Sequence, residues 1–95
     1  MNEISKTIYN QIGNQAFKMM GAKNIGYDKD SLSWKVGRNS KGITHIKVVL
    51  NLMDLYEITF FKIRGTSRKE NLIDNVYADQ LHKIIETNTG LYLSL

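Results

Sequence analysis

Between residues 32 and 60, apolar side chains fall on alternate positions three times over, and this pattern limits the fold more than any other feature. Leu32, Trp34 and Val36 alternate with Ser33 and Lys35. Ile46, Val48 and Leu50 share one face of a second run, with His45, Lys47 and Asn51 on the other. Tyr56, Ile58 and Phe60 share a face in the third. A period of two is the repeat of a pleated strand with one side in a core and the other in water. The connections are short: a glycine-flanked turn at 37–42 and a tight link at 51–54. Three antiparallel strands are therefore expected, over 32–36, 43–51 and 55–64. The doublet Phe60–Phe61 followed by Ile63 departs from strict alternation, which predicts a bulge there or a strand end buried on both faces.

The flanks read as helices. Ile4, Ile8, Ile12, Ala16 and Met19–Met20 recur at spacings of three and four, which puts them on one face of a helix over 3–20. Asn2 or Ser5 can cap its start, and Gly21 stands where a left-handed C-cap residue belongs. Gly13 inside that helix costs about 1 kcal/mol against alanine, unless it admits the close approach of a strand. A second helix is expected from Asp74 or Asn75 to Thr87, with Tyr77, Leu81, Ile84 and Ile85 as its apolar face and Gly90 as its stop. Segments 24–30 and 65–71 read as loops. The tail 91–95, apolar for a chain end, has three uses open to it: docking on the core, a short C-terminal edge strand, or contact with another subunit. The expected architecture is α+β: a single domain over 1–95, helix–three-stranded antiparallel sheet–helix, with the helices on one face of the sheet.

Composition excludes several function classes. The chain has 95 residues and no cysteine, so disulfides, zinc ribbons, iron–sulfur sites and thiol nucleophiles are out. The first six residues do not form a basic stretch followed by an apolar run, so no signal peptide is expected. No apolar run reaches the roughly 18–20 residues that span a bilayer. The expected location is cytoplasmic. The net charge is +4, unevenly placed. Lys35, Arg38, Lys41, Lys47, Lys62, Arg64, Arg68 and Lys69 face only Asp54 and Glu57 within 35–69, a local surplus of six. Such a block suits phosphate backbones or an acidic protein face. Lysine-rich strand surfaces also serve simply to discourage edge-to-edge aggregation.

No motif announces catalysis. A hydrolase needs a nucleophile, a base within reach and a group that orients the base, and the two histidines lie on different elements. His82, beside Leu81, reads as a surface or boundary residue; His45 reads as a polar residue facing a ligand. Asp28 and Asp30 lack the glycine and distal glutamate of a calcium loop. The turn 37–42 resembles a phosphate cradle in composition only, because a strand and not a helix follows it. Neither a cofactor nor a metal is expected. Trp34, Tyr56, Phe60 and Phe61 lie among Lys35, Lys47, Lys62 and Arg64, the mixture found in base-stacking platforms. The first three aromatics are better read as core; Phe61 points away from Phe60, to be covered by the tail or exposed. The helix–strand–strand–strand–helix order is that of double-stranded RNA-binding domains, but their lysine-rich start to the last helix is absent here.

Several strings carry a broader resemblance: Ile12-Gly13-Asn14-Gln15-Ala16-Phe17, Met20-Gly21-Ala22-Lys23-Asn24, Gly37-Arg38-Asn39-Ser40-Lys41-Gly42-Ile43-Thr44, Asp54-Leu55-Tyr56, Ile63-Arg64-Gly65, Val76-Tyr77-Ala78-Asp79-Gln80-Leu81 and Thr89-Gly90-Leu91-Tyr92-Leu93-Ser94-Leu95. Over nearly the whole chain it resembles a family of small proteins encoded by bacteriophages, prophages and plasmids. It departs from them at Leu52–Met53, where they often carry a smaller polar turn. The resemblance supplies a setting, the bacterial host cytoplasm, and no mechanism. It implies a non-enzymatic protein that occupies a host or phage protein or nucleoprotein complex, as anti-CRISPR and other anti-defence proteins do. The basic centre argues against mimicry of DNA. Arg38, Lys41, His45, Lys47, Lys62, Arg64, Arg68 and Lys69 are the expected contact surface. Direct nucleic-acid binding by the same residues, helped by Phe61, is the first alternative; assembly of a homodimer or larger oligomer through the tail is the second.

Overall fold

A computed structural model describes residues 1–93 and shows a five-stranded antiparallel sheet, not a three-stranded one. The three expected strands are its middle: β2 (Ser31–Lys35), β3 (His45–Leu50) and β4 (Tyr56–Arg64). Two further strands flank them, β1 (Lys23–Tyr27) and β5 (Ser67–Val76), in segments expected to be loops or helix start. The order is β1-β2-β3-β4-β5, a plain meander. Both missed strands are edges, exposed along nearly their whole length. With little of either strand buried, nothing imposes an apolar period of two, so the signal that marked the inner strands is absent. The added strands also dissolve the analogy with double-stranded RNA-binding domains.

Each edge strand carries one bulge. Lys23 opposes Lys35 and Gly26 opposes Ser33, so two residues of β1 span one of β2. Tyr56 opposes Val76 and Ile58 opposes Ile73, so two residues of β5 span one of β4. In each bulge an asparagine sits in the left-handed region, Asn24 at φ 55° and Asn75 at φ 54°. Asparagine is the non-glycine residue that tolerates this best. The irregularity expected near Phe60–Phe61 lies instead at the other end of β4, on its partner. Burial along β4 alternates regularly through Phe60.

Among the described residues, three helices cover one face: α1 (Glu3–Ile12), α2 (Asn14–Met19) and α3 (Leu81–Thr89), the last preceded by a 3₁₀ turn at Ala78–Gln80. The helix expected over 3–20 is broken at Gly13. Its φ of 91° ends α1, and its N–H donates to the Tyr9 carbonyl at 2.9 Å. A side chain there would meet nothing within 4 Å, so backbone conformation and not a close strand requires glycine. Asn2 caps α1, its Oδ1 accepting from the Ser5 N–H at 2.8 Å. The last helix starts later than expected because Asp74 and Asn75 belong to the β5 bulge. Tyr77, assigned to the apolar face, is 61% exposed, whereas Leu81 and Ile85 are fully buried.

The core lies between the layers. Ile8, Ile12, Phe17, Leu81 and Ile85 meet Leu32, Trp34, Ile46, Val48, Ile58 and Phe60. Phe17 joins the layers as a stack, its ring 4.7 Å from Tyr9 and edge-on at 4.9 Å to Trp34. Of the tail, Leu93 is buried in this core and its N–H donates to Glu86 Oε2 at 2.9 Å, so these residues dock rather than add a strand. Residues 94–95 of the expected tail lie outside the described residues. Among the described residues, no helix is long and apolar enough to cross a membrane.

Candidate ligand-binding face

The helices leave the opposite side of the sheet open. Residues opposed across an antiparallel pair share a face, so the register assigns its occupants. One row runs Lys23–Lys35–His45–Phe61–Glu70 through all five strands. At about 4.8 Å per strand, this row is about 19 Å long. A neighbouring row places Lys47 between Ser33 and Thr59, with Leu72 beyond. Ile63 and Arg68 oppose each other at the end of the β4–β5 hairpin.

The row is electrostatically unfavourable as it stands. Lys23 faces Lys35, and no acid is bonded to either lysine among the described residues, where the one ion pair joins Arg68 Nε to Glu70 Oε1 at 3.0 Å. Like charges directly opposed on a sheet weaken it by roughly 0.2–1 kcal/mol per pair. Phe61 ends the basic run. The Arg68 guanidinium lies 4.8 Å above its ring centroid, a cation–π contact that leaves the ring half-buried. A shallow hollow of about 240 Å³, lined by Ser33, His45, Lys47, Phe61, Ile63 and Arg68, lies on this face.

Thr44 orients the histidine. Its hydroxyl donates to the Phe61 carbonyl at 3.1 Å and accepts from the Ile63 N–H at 3.0 Å. Its one proton being spent, the 2.9 Å contact with His45 Nδ1 requires that Nδ1 carry a hydrogen and donate. The second ring nitrogen, Nε2, is left without a protein partner among the described residues, on the open face beside Lys35 and Phe61.

The eight expected contact residues do not form one surface. His45, Lys47 and Arg68 belong to the open face. Lys62 and Lys69 oppose each other on the hairpin's other side, where Lys41 joins them around a separate cavity. Arg38 and Arg64 flank the turn between β2 and β3, with Arg64 Nη2 set against Gly42. Lys23 and Lys35 complete the open-face row and were not among the expected contacts. Lys35 was visible within the basic block; Lys23 could be placed only once β1 was known to be a strand.

His82 proves to be structural. Its Nε2 lies 2.6 Å from the Ile12 carbonyl, at the end of α1, so α3 supplies the partner that Gly13 denies to that helix terminus. Asp28 and Asp30 make no cluster: among the described residues no three His, Cys, Asp or Glu side chains gather as metal ligands do. No protein family, curated protein or solved structure matches the chain. The resemblance to mobile-element proteins therefore rests on its sequence strings alone.

Proposed function

We propose that the protein is a non-enzymatic binding protein whose open sheet face engages an anionic macromolecule, and that single-stranded nucleic acid is the class this face fits. The observation that carries the reading is the row Lys23–Lys35–His45–Phe61. Here two opposed lysines without acidic partners lead through His45 to a half-exposed aromatic ring. A sugar–phosphate backbone laid across β1–β3 offsets that repulsion, while a base displaces the Arg68 guanidinium from Phe61 and stacks on the ring. The free Nε2 of His45 lies between the two and, with the hydrogen held on Nδ1, can accept from the amino edge of a base. Single strands fit better than duplexes, because stacking on a sheet requires bases that are already unpaired.

Fluorescence anisotropy with labelled single-stranded DNA, single-stranded RNA and duplex DNA, from low to physiological salt, tests this directly. Single strands are expected to bind best, with a log–log salt slope of about −2 to −3 from three or four phosphate contacts. Phe61→Ala is expected to weaken binding about fivefold or more, the loss of one base stack. A Lys35→Glu/Lys47→Glu variant should bind no single strand at physiological salt. If none of the three nucleic acids binds at low salt, the nucleic-acid reading fails. The same face would then meet the acidic surface of a host or phage protein, the form that the anti-defence setting implies.

A further inference from the structure

A second group of cations lies on the helix-bearing side of the molecule. The β4–β5 hairpin runs past the last pair between β3 and β4, His45 with Phe61, and in this overhang Lys62 directly opposes Lys69. Lys62 lies two residues beyond the buried Phe60 and so shares its face. Across from the pair stands the C-terminal end of α3, and Lys41 closes the side from the turn between β2 and β3. The space they enclose is about 330 Å³, with Asn71, Thr87 and Asn88 also on its walls. That is within the size range of small-molecule sites.

The geometry is held from two directions. Asn39 braces the turn with three hydrogen bonds, donating to the Gly37 and Ile43 carbonyls at 2.9 and 2.7 Å and accepting from the Ile43 N–H at 3.0 Å. Ser40 Oγ packs against Gly90, the C-cap of α3, and would have to turn aside for any side chain there. Lys41 is thereby carried on a fixed backbone, and so are Lys62 and Lys69 on their paired strands.

Three ammonium groups around one opening need a counter-charge. Among the described residues none of the three forms an ion pair, and Glu70, the one acidic residue beside the cavity, has its carboxylate on the open face with Arg68. The α3 terminus offers only about half a negative charge. We infer that this cavity is a binding site for a small phosphorylated ligand carrying at least two negative charges. The wall amides of Asn71 and Asn88 supply polar groups for the rest of such a molecule. Asn88 already donates Nδ2 to the Ile84 carbonyl at 2.8 Å, which fixes that side chain on the wall.

The site is separate from the open face, so the two readings stand or fall apart. Titration of the ¹⁵N-labelled protein with pyrophosphate, inorganic phosphate and, as an ionic-strength control, sodium chloride tests it. Pyrophosphate is expected to bind tighter than phosphate, with amide shifts confined to residues around Lys41, Lys62, Lys69 and Asn88. Lys62→Gln and Lys69→Gln are each expected to weaken pyrophosphate about five- to tenfold. Lys35→Gln on the other face should change it less than twofold. Both hairpin lysines are exposed, and a melt without ligand confirms that their variants fold. Shifts that chloride reproduces, or pyrophosphate affinity unaltered in the Lys62→Gln/Lys69→Gln variant, would overturn the inference.

Discussion

His82 shows how much one side chain can join. It bonds the last carbonyl of α1 from α3, across 70 residues of sequence. His82→Ala leaves that carbonyl to whatever water reaches it and is expected to cost about 1–2 kcal/mol. The single tryptophan, Trp34, is buried, so its emission during urea unfolding measures this directly. Trp34 Nε1 has no hydrogen-bond partner among the described residues, a rarity for a buried donor, and nothing else in the structure explains it. Tyr56 carries a pH dependence. Burial, and to a lesser degree the Asp54 carboxylate, raise its phenol above the ordinary value of 10.0. An unfolded chain loses that proton near pH 10 while the folded one holds it. The stabilisation is thus complete below pH 10 and is lost as pH rises through the folded value. Melts between pH 8 and 11 should show Tyr56→Phe losing less stability across that interval than the parent protein.

At the scale of elements, the edge strands set the problem the fold has to manage. Each presents unpaired backbone groups that invite another strand, and each carries a bulge that twists and interrupts its ladder. The bulges depend on asparagine at positive φ. Asn24→Val and Asn75→Val are expected to cost about 1–3 kcal/mol each, since a β-branched residue is strained in that region. Asn75→Gly should be tolerated. Chemical denaturation of the four proteins separates these outcomes. The β4–β5 hairpin turns on Gly65 at φ 58°, the first of two loop residues, where glycine is favoured in such hairpins. This two-residue turn, hidden within a segment that reads as a basic loop, brings Lys62 opposite Lys69.

Over the whole molecule, the surplus of positive charge is divided between two faces rather than gathered on one. The open sheet carries the opposed pair Lys23–Lys35 with Lys47 nearby, and the helical side carries Lys41, Lys62 and Lys69. Both groups repel internally, so added salt should raise the melting temperature of the free protein. Differential scanning fluorimetry from 20 to about 300 mM sodium chloride checks this, a span over which the Debye length falls from above about 10 Å to below it. A Lys62→Gln/Lys69→Gln variant should show a smaller salt response than the parent and start from a higher melting temperature.

The inner half of this fold was legible in the sequence. β2, β3 and β4 announce themselves because one face of each is buried, and burial writes an apolar period of two. The same reasoning placed Trp34, Tyr56 and Phe60 in the core and Gly90 at the end of α3. The edge strands were not legible, because so little of either is buried and Ser-Arg-Lys-Glu-Asn reads as a loop until a neighbour pairs with it. The basic block was plain from residues 35–69, yet its arrangement was not. Which cations share a face depends on strand register and on two bulges, each of which changes the count of opposed residues by one. The order of residues by itself determined that this protein is basic at its centre and built on a half-buried sheet. Only tertiary pairing decided that Lys35 stands with His45 and Phe61, and Lys62 with Lys69, because side chains distant in sequence become neighbours through backbone hydrogen bonds that no local pattern encodes.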